Sequence, residues 1–136
     1  GVTAERHVAQ TEVLDTAVAM VGHGGMGGVV EALARRVPLA LTPRTPEQAL
    51  VAEQVVALGV GVSLPWATAT PTGLVTAVQD LRARPTLEQR SSAVAEEVAA
   101  AGGAGRAAQV VLLAAHEGGH RTCVVDEGSG GVATRW

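Results

Sequence analysis

The stretch Gly22-His23-Gly24-Gly25-Met26-Gly27-Gly28-Val29-Val30-Glu31 decides the predicted fold, because it places a glycine-dense turn between two different apolar patterns. Residues 17–22 form a short apolar run, which is typical of a strand buried on both faces of a parallel sheet. Within residues 26–35, apolar side chains recur at steps of three and four, as on an amphipathic helix. The stretch therefore predicts a strand, a glycine turn and a helix in that order.

The same alternation continues downstream of the glycine turn. Residues 38–42 and 60–64 are apolar runs of strand length, and residues 46–58 between them have helical spacing. Pro46 suits the first turn of that helix, and Gly59 suits its C-terminal cap. This order of elements predicts an α/β fold, a partial Rossmann-like parallel sheet flanked by helices.

The remainder of the chain has helical patterns followed by a tail. Helices are predicted at residues 70–84, 85–102 and 104–116, with prolines or glycines at their boundaries. The last stretch is rich in Gly and polar residues, which is typical of a flexible segment. We therefore expect one partial domain over residues 1–116 and a flexible tail over residues 117–136.

Composition excludes several classes of function. The formal net charge is −3, and the basic residues are all Arg and are scattered along the chain, so no basic stripe is available to neutralise a nucleic-acid backbone. No uncharged apolar run approaches the roughly 18 residues that span a bilayer. Cys123 is the only cysteine, which excludes an internal disulfide. We expect a cytoplasmic protein whose partners include neither nucleic acid nor a membrane.

Two features near the ends of the chain bear on its organisation. The chain opens with Gly1-Val2-Thr3, which is neither an initiator Met nor the start of a signal peptide, so we expect a piece of a longer protein. His116, His120 and Cys123 carry metal-capable groups at short spacing, but no fourth ligand accompanies them. No metal site is predicted.

The glycine turn has the chemistry of a phosphate site. The first backbone N–H groups of a helix have no partners within it and carry the positive end of its dipole, so an anion binds there. His23 stands where the strand ends, and its ring can donate a hydrogen bond to the same phosphate. Glu31 lies about 9 Å along the helix axis from Gly25, roughly the distance from a diphosphate to the ribose. The segment therefore predicts a nucleoside diphosphate site.

Other glycine motifs compete with this interpretation. Gly22, Gly24 and Gly27 satisfy the G-x-G-x-x-G pattern of dinucleotide-binding folds, but Thr42 and Pro43 stand where an acidic residue is expected to end the next strand. An NAD(P)-binding oxidoreductase fragment therefore stays open as an alternative. A Walker loop needs a Lys, and the His-Gly-Gly loop of esterases needs a G-x-S-x-G elbow; the sequence contains neither.

An ordered series of motifs resembles the C-terminal, donor-binding domain of nucleotide-sugar glycosyltransferases that act on small molecules, especially the bacterial macrolide and antibiotic type. This group lies within the UDP-glucuronosyl and UDP-glucosyltransferase superfamily. The resemblance runs from about His7 to His116. The series is His-Gly-Gly-Met-Gly at 23–27, then Glu31, Val37-Pro38, Pro43, Glu47-Gln48 and Leu58-Gly59-Val60-Gly61.

The resemblance implies a role for each matching residue. Glu31 is similar to the ribose contact, Glu47 and Gln48 to the pair that holds the sugar hydroxyls, and His7 and Gln10 to residues on the nucleobase side. The diphosphate contacts would be His23, Gly24, Gly25, Gly27 and Gly28. The sequence departs from the family pattern at Ala9, Gly28 and Arg36, where Pro, Ser or Thr, and Gly are usual.

The resemblance also implies a function. Members transfer a sugar from a nucleoside diphosphate sugar to a hydroxyl of a small lipophilic acceptor, without a cofactor, and their catalytic base lies in a separate acceptor-binding domain. We therefore expect no catalytic residue in this chain, His23 acting as an electrostatic ligand, and no activity without the acceptor domain. A non-catalytic nucleotide-sugar-binding subunit that needs a partner chain is the other alternative.

Overall fold

The computed structural model describes residues 3–103, 106, 108 and 109. The compact unit that contains the sheet and the candidate site is Gly1–Ala100. The helix predicted at 104–116 and the tail predicted at 117–136 lie largely outside the described residues, and within them Arg106, Ala108 and Gln109 are helical. The predicted boundary between domain and tail stays a prediction.

The centre of the fold is a three-stranded parallel sheet. Its strands are β1 (Met20–Gly22), β2 (Leu39–Leu41) and β3 (Gly61–Ser63), in the order β1-β2-β3. Pairing aligns Met20 with Leu39, and Leu39 with Gly61. The predicted α/β fold, with a parallel sheet flanked by helices, is confirmed.

Each strand is shorter than its apolar run. At β1, the amide of Ala17 still bonds to the carbonyl of Leu14 in a turn, and pairing begins only where the amide of Met20 donates to the carbonyl of Pro38. Among the described residues β1 pairs only with β2, so it forms one edge of the sheet. Val21, in the middle of β1, is 53% exposed.

Five α-helices accompany the strands within residues 3–100. Helices α2 (Met26–Ala34) and α3 (Pro46–Ala57) connect successive strands, α4 (Pro71–Arg82) and α5 (Leu87–Ala100) follow the sheet, and a 3₁₀ helix spans Trp66–Thr68. Helix α1 (Gln10–Leu14) is five residues long and was not predicted, because it has no capping side chain and only one buried residue. No helix among the described residues is long and apolar enough to cross a membrane.

The ends of α2 and α3 are set by specific residues. Thr45 precedes α3 and its hydroxyl accepts a hydrogen bond from the amide of Gln48, which caps the helix. Arg36 follows α2 with a φ of 59°, a left-handed conformation that favours glycine. The family's usual Gly at this position therefore has a conformational reason, and Arg36 adopts the same backbone geometry at some cost in strain.

The core is built from aliphatic side chains. Leu39 and Leu41 of β2 are fully buried, because helices cover the central strand. Small residues allow close packing: Ala32 and Ala52 are buried, and Gly61 of β3 lies against the backbone carbonyl of Leu39. The sheet and the helices beside it are therefore closely spaced, which fixes the positions of the loops at the carboxyl end of the strands.

We predict that Gly61→Ala destabilises the chain by about 1–3 kcal/mol, because overpacking costs that much in a filled core. A Cβ at this position would collide with Val55 and lie 2.8 Å from the carbonyl oxygen of Leu39. Gly27→Ala is the matched control, since no atom lies within 4 Å of its Cβ position, and it should stabilise α2 slightly. Urea unfolding followed by circular dichroism measures both changes. Equal midpoints for Gly61→Ala and the wild type would contradict the packing described.

Candidate functional site

The carboxyl ends of the three strands lie side by side at one edge of the sheet, and hydrogen bonds join the loops that follow them. The amide of Thr42 donates to the carbonyl of Gly22 at 2.8 Å, and the amide of Leu64 donates to the carbonyl of Leu41 at 2.8 Å. Pairing therefore continues one residue past each of these strand ends. In open parallel sheets this edge is where ligands bind.

The start of α2 presents free backbone amides at this edge. Gly25 caps the helix without a side-chain hydrogen bond, and the first amide bonded to a carbonyl of the turn is that of Val29, which donates to Gly25 at 3.0 Å. The amides of Met26, Gly27 and Gly28 have no hydrogen-bond partner in the described part of the chain. Gly27 is exposed, and the space around its Cβ position is open. An anion can therefore reach these amides.

His23 lies beside the same helix start. A Cβ on Gly25 would approach Nε2 of His23 to 2.8 Å, so the imidazole packs over the backbone of Gly25 and stays exposed. Gly24 has a φ of 91°, and a Cβ there would lie 3.2 Å from the carbonyl oxygen of Gln48. The glycine at 24 is therefore favoured by its backbone conformation, whereas a Cβ at Gly25 would require only that the exposed His23 ring move.

Glu31 points back along α2 toward its first turn. Its Oε2 accepts a hydrogen bond from Nε2 of Gln10 at 3.0 Å, and a Cβ on Gly28 would lie 3.1 Å from the same Gln10 nitrogen. The Gln10 carboxamide thus lies over Gly28 and contacts Glu31. Gly28, where the family usually has Ser or Thr, leaves room for this arrangement. The structure therefore brings together the predicted ribose residue and one predicted nucleobase-side residue.

The two predicted sugar-binding residues differ in their surroundings. Gln48 is half-buried, and its Oε1 accepts a hydrogen bond from the amide of Arg44 at 2.9 Å. Its oxygen is engaged, so the side chain presents its NH₂ group as a donor. Glu47 is exposed in the first turn of α3. His7 is exposed too, in the irregular segment before α1.

An open cavity of about 680 Å³ lies at the carboxyl edge of the sheet. His23 and Gln48 line it, and Glu47 and Glu31 do not. The other lining residues are Gly22, Thr42, Arg44, Thr45 and Trp66. The cavity thus adjoins the start of α2 on the His23 side and reaches the start of α3.

Arg44 and Trp66 were not predicted as site residues. The Arg44 guanidinium lies 4.5 Å from the centroid of the Trp66 ring, a cation–π contact between the loops after β2 and β3. The sequence places Trp66 after the third strand and gives no sign that it meets Arg44. Only the sheet, by aligning the two strand ends, brings them together. His116, His120 and Cys123 lie outside the described residues.

Comparison with known proteins identifies the family. Residues 2–112 match the model of the erythromycin biosynthesis protein CIII-like C-terminal domain. The chain belongs to this family of glycosyltransferase C-terminal domains.

Individual relatives agree with this assignment. The chain is 43% identical over 77 residues to the NDP-glycosyltransferase YjiC of Bacillus subtilis (strain 168), covering 57% of this chain and 20% of that protein. The calicheamicin glycosyltransferase CalG4 aligns with a TM-score of 0.75 at 32% identity, covering 85% of this chain and 30% of CalG4. The glycosyltransferase VinC, solved in complex with dTDP, aligns with a TM-score of 0.67 at 25% identity, covering 72% of this chain and 25% of VinC.

The matched region is a minor part of each relative. The chain spans 20% of the length of YjiC and 30% of the length of CalG4. The similarity concerns the glycosyltransferase C-terminal domain, which in this family binds the sugar donor.

We predict that Thr45→Ala lowers the free energy of unfolding by about 1 kcal/mol, because it removes the side-chain cap of α3. Thr45→Ser is the matched control, since it keeps the hydroxyl that accepts the Gln48 amide. Urea unfolding of the three proteins measures the difference. If Thr45→Ala and Thr45→Ser have the same free energy of unfolding, the cap does not stabilise the start of α3.

Proposed function

We propose that this domain binds the nucleoside diphosphate part of a sugar donor at the start of α2. The observation that carries the proposal is the set of unpartnered amides of Met26, Gly27 and Gly28. His23 lies against Gly25, and Gln10, which is bonded to Glu31, lies over Gly28. A pyrophosphate accepts hydrogen bonds from such amides and is stabilised by the helix dipole.

The residues around these amides contact different parts of the donor in this proposal. Glu31 accepts hydrogen bonds from ribose hydroxyls. These bonds either replace the hydrogen bond that Glu31 now accepts from the Gln10 carboxamide or form beside it. His7 and Gln10 lie on the nucleobase side in this proposal. Glu47 and Gln48 bind sugar hydroxyls, Gln48 through its free NH₂ group. Diphosphate contacts are His23, Gly24, Gly25, Gly27 and Gly28.

The chemical role of the domain is to stabilise the leaving group. As the bond between the anomeric carbon and the diphosphate breaks, negative charge grows on the diphosphate oxygens. Fixed amides at a helix start and the His23 ring meet that charge without reorganising. We propose that no cofactor takes part, that the acceptor is a small lipophilic alcohol, and that no residue of this chain acts as catalytic base.

The proposal requires a further polypeptide. An acceptor-binding domain or subunit would supply the catalytic base and close the cavity that contains His23 and Gln48. The exposed outer edge of β1, with Val21 at its middle, supports coverage by another part of a longer donor domain. The partners we propose are therefore a nucleotide sugar and an acceptor-binding unit, and we place the protein in the cytoplasm.

We predict that Glu31→Ala weakens binding of UDP by about tenfold, the loss expected for a hydrogen bond to a charged group. The same variant should weaken 2′-deoxy-UDP less, since this ligand lacks one of the two hydroxyls that Glu31 accepts from. Isothermal titration calorimetry measures both ligands. Glu53→Ala, which changes an exposed Glu of α3, is the control and should bind as the wild type does.

Two outcomes would reject the donor site. An equal loss of affinity for UDP and 2′-deoxy-UDP in Glu31→Ala would show that Glu31 does not contact the ribose. Tighter binding of NAD than of UDP and dTDP by the wild-type chain would favour the oxidoreductase alternative instead.

We predict that the 136-residue chain alone does not transfer sugar, because the base that deprotonates the acceptor hydroxyl is supplied elsewhere. Incubation with UDP-glucose or dTDP-glucose and a panel of lipophilic alcohols, followed by mass spectrometry, should give no glycoside above the protein-free background. Substantial product formation by the chain alone would contradict this division of roles.

A further inference from the structure

The cavity beside α3 has an unusual wall. Arg44 and Trp66 come from different loops, and the guanidinium carbon lies 4.5 Å from the centroid of the Trp66 ring. Both residues line the cavity together with His23 and Gln48. A guanidinium that lies over an aromatic ring keeps N–H groups that can donate hydrogen bonds to a ligand. The wall therefore carries a set of cationic donors.

The charge of Arg44 is not neutralised by neighbouring carboxylates. Among the described residues, no carboxylate lines the cavity. Within the described part of the chain, the salt bridge that forms is between Arg35 and Asp15, which does not involve Arg44. Glu47 lies nearby in sequence but is not part of the lining. The cavity is thus positively charged and lacks an acid that would offset this charge.

The backbone that carries Arg44 is held in place. Its amide donates to Oε1 of Gln48 at 2.9 Å, and the amide of Gln48 donates to the hydroxyl of Thr45 at 3.3 Å. These bonds close the loop onto the first turn of α3. With Trp66 beneath the guanidinium, fewer conformations of Arg44 remain to be lost when a ligand binds.

The location of the cavity indicates which part of a ligand meets Arg44. It includes His23 but not Met26, Gly27 or Gly28, whose amides face the diphosphate in the proposed function. It extends from His23 to the start of α3, where Gln48 would hold the sugar. A group bound in the cavity is therefore beyond the diphosphate, on the side of the transferred sugar.

We infer that Arg44, supported by Trp66, selects donors by the charge of the sugar, favouring a carboxylate-bearing sugar such as a hexuronic acid and disfavouring an ammonium-bearing amino sugar. This inference rests on the proposed function, because it assumes that the diphosphate binds at α2. A carboxylate accepts paired hydrogen bonds from a guanidinium, whereas an ammonium group offers only donors and is repelled.

The test compares three donors that share one nucleotide and differ in sugar charge. UDP-glucosamine, UDP-glucose and UDP-glucuronic acid are titrated into the full 136-residue chain by calorimetry, at a pH where the amine is protonated. We expect affinity to rise in that order, by about fivefold for each step, as for a solvent-accessible ion pair. Added salt should reduce both steps.

Variants of Arg44 and Trp66 test whether this pair causes the preference for sugar charge. In Arg44→Gln the three donors should bind with nearly equal affinity, while binding of UDP itself weakens less than binding of UDP-glucuronic acid. Trp66→Leu should reduce the preference partly, because the guanidinium loses its support. Arg84→Gln is the control: Arg84 lines a different cavity, with Arg36 and Pro38, that adjoins the residues before the strands, so its loss should leave the preference intact.

Several results would overturn the inference. A wild-type chain that binds the three donors equally would show no charge selection, and an unchanged preference in Arg44→Gln would place the selection elsewhere. If Arg44→Gln weakens UDP as much as UDP-glucuronic acid, Arg44 contacts the diphosphate instead. A wild-type chain that binds neither UDP nor any donor rejects the proposed function, and the inference with it.

Discussion

The unpartnered amides at the start of α2 are the feature on which the candidate site depends. The first turn of a helix always presents N–H groups that no carbonyl of the same helix can reach. Here the residue before the helix is Gly25, which offers no side chain to cap them, and two of the three residues that follow it are Gly27 and Gly28. The helix start is therefore left open to an external anion, and the neighbouring residues supply its further contacts.

The parallel sheet determines what stands near that helix start. Because β1, β2 and β3 end side by side, the loops after them converge, and residues distant in the chain share one cavity. The close packing of Gly24 against the backbone of Gln48 joins the first loop to the start of α3. A diphosphate contact and a sugar contact can thus lie on adjacent loops, which suits a ligand that has both groups.

The sequence predicted the elements better than the contacts between them. Strands and helices followed from apolar spacing and from Pro46 and Gly59, and the family resemblance was confirmed. The helix Gln10–Leu14 was not predicted, because its single turn carries no cap and little apolar periodicity. The left-handed conformation of Arg36 was not predicted either, since an arginine gives no local indication of a positive φ.

Side-chain pairs across the fold were the least predictable part of the site. Gln10 and Glu31 were assigned to different parts of the donor, yet they share a hydrogen bond between two helices. Arg44 meets Trp66 only because two strands end at the same edge. Local patterns record which face of an element is apolar, but they carry no information on which polar side chains meet across elements. The contact between Arg44 and Trp66 therefore emerged only from the structure, whereas Gln48 in the same cavity was predicted from the sequence.

The most direct measurement of the central claim is a ¹⁵N–¹H NMR titration of the chain with UDP and dTDP. The account predicts that the largest amide shift changes fall on Met26, Gly27 and Gly28, with smaller changes at Glu31 and Gln10. Changes centred away from the start of α2, or none at these three amides at saturating nucleotide, would contradict it.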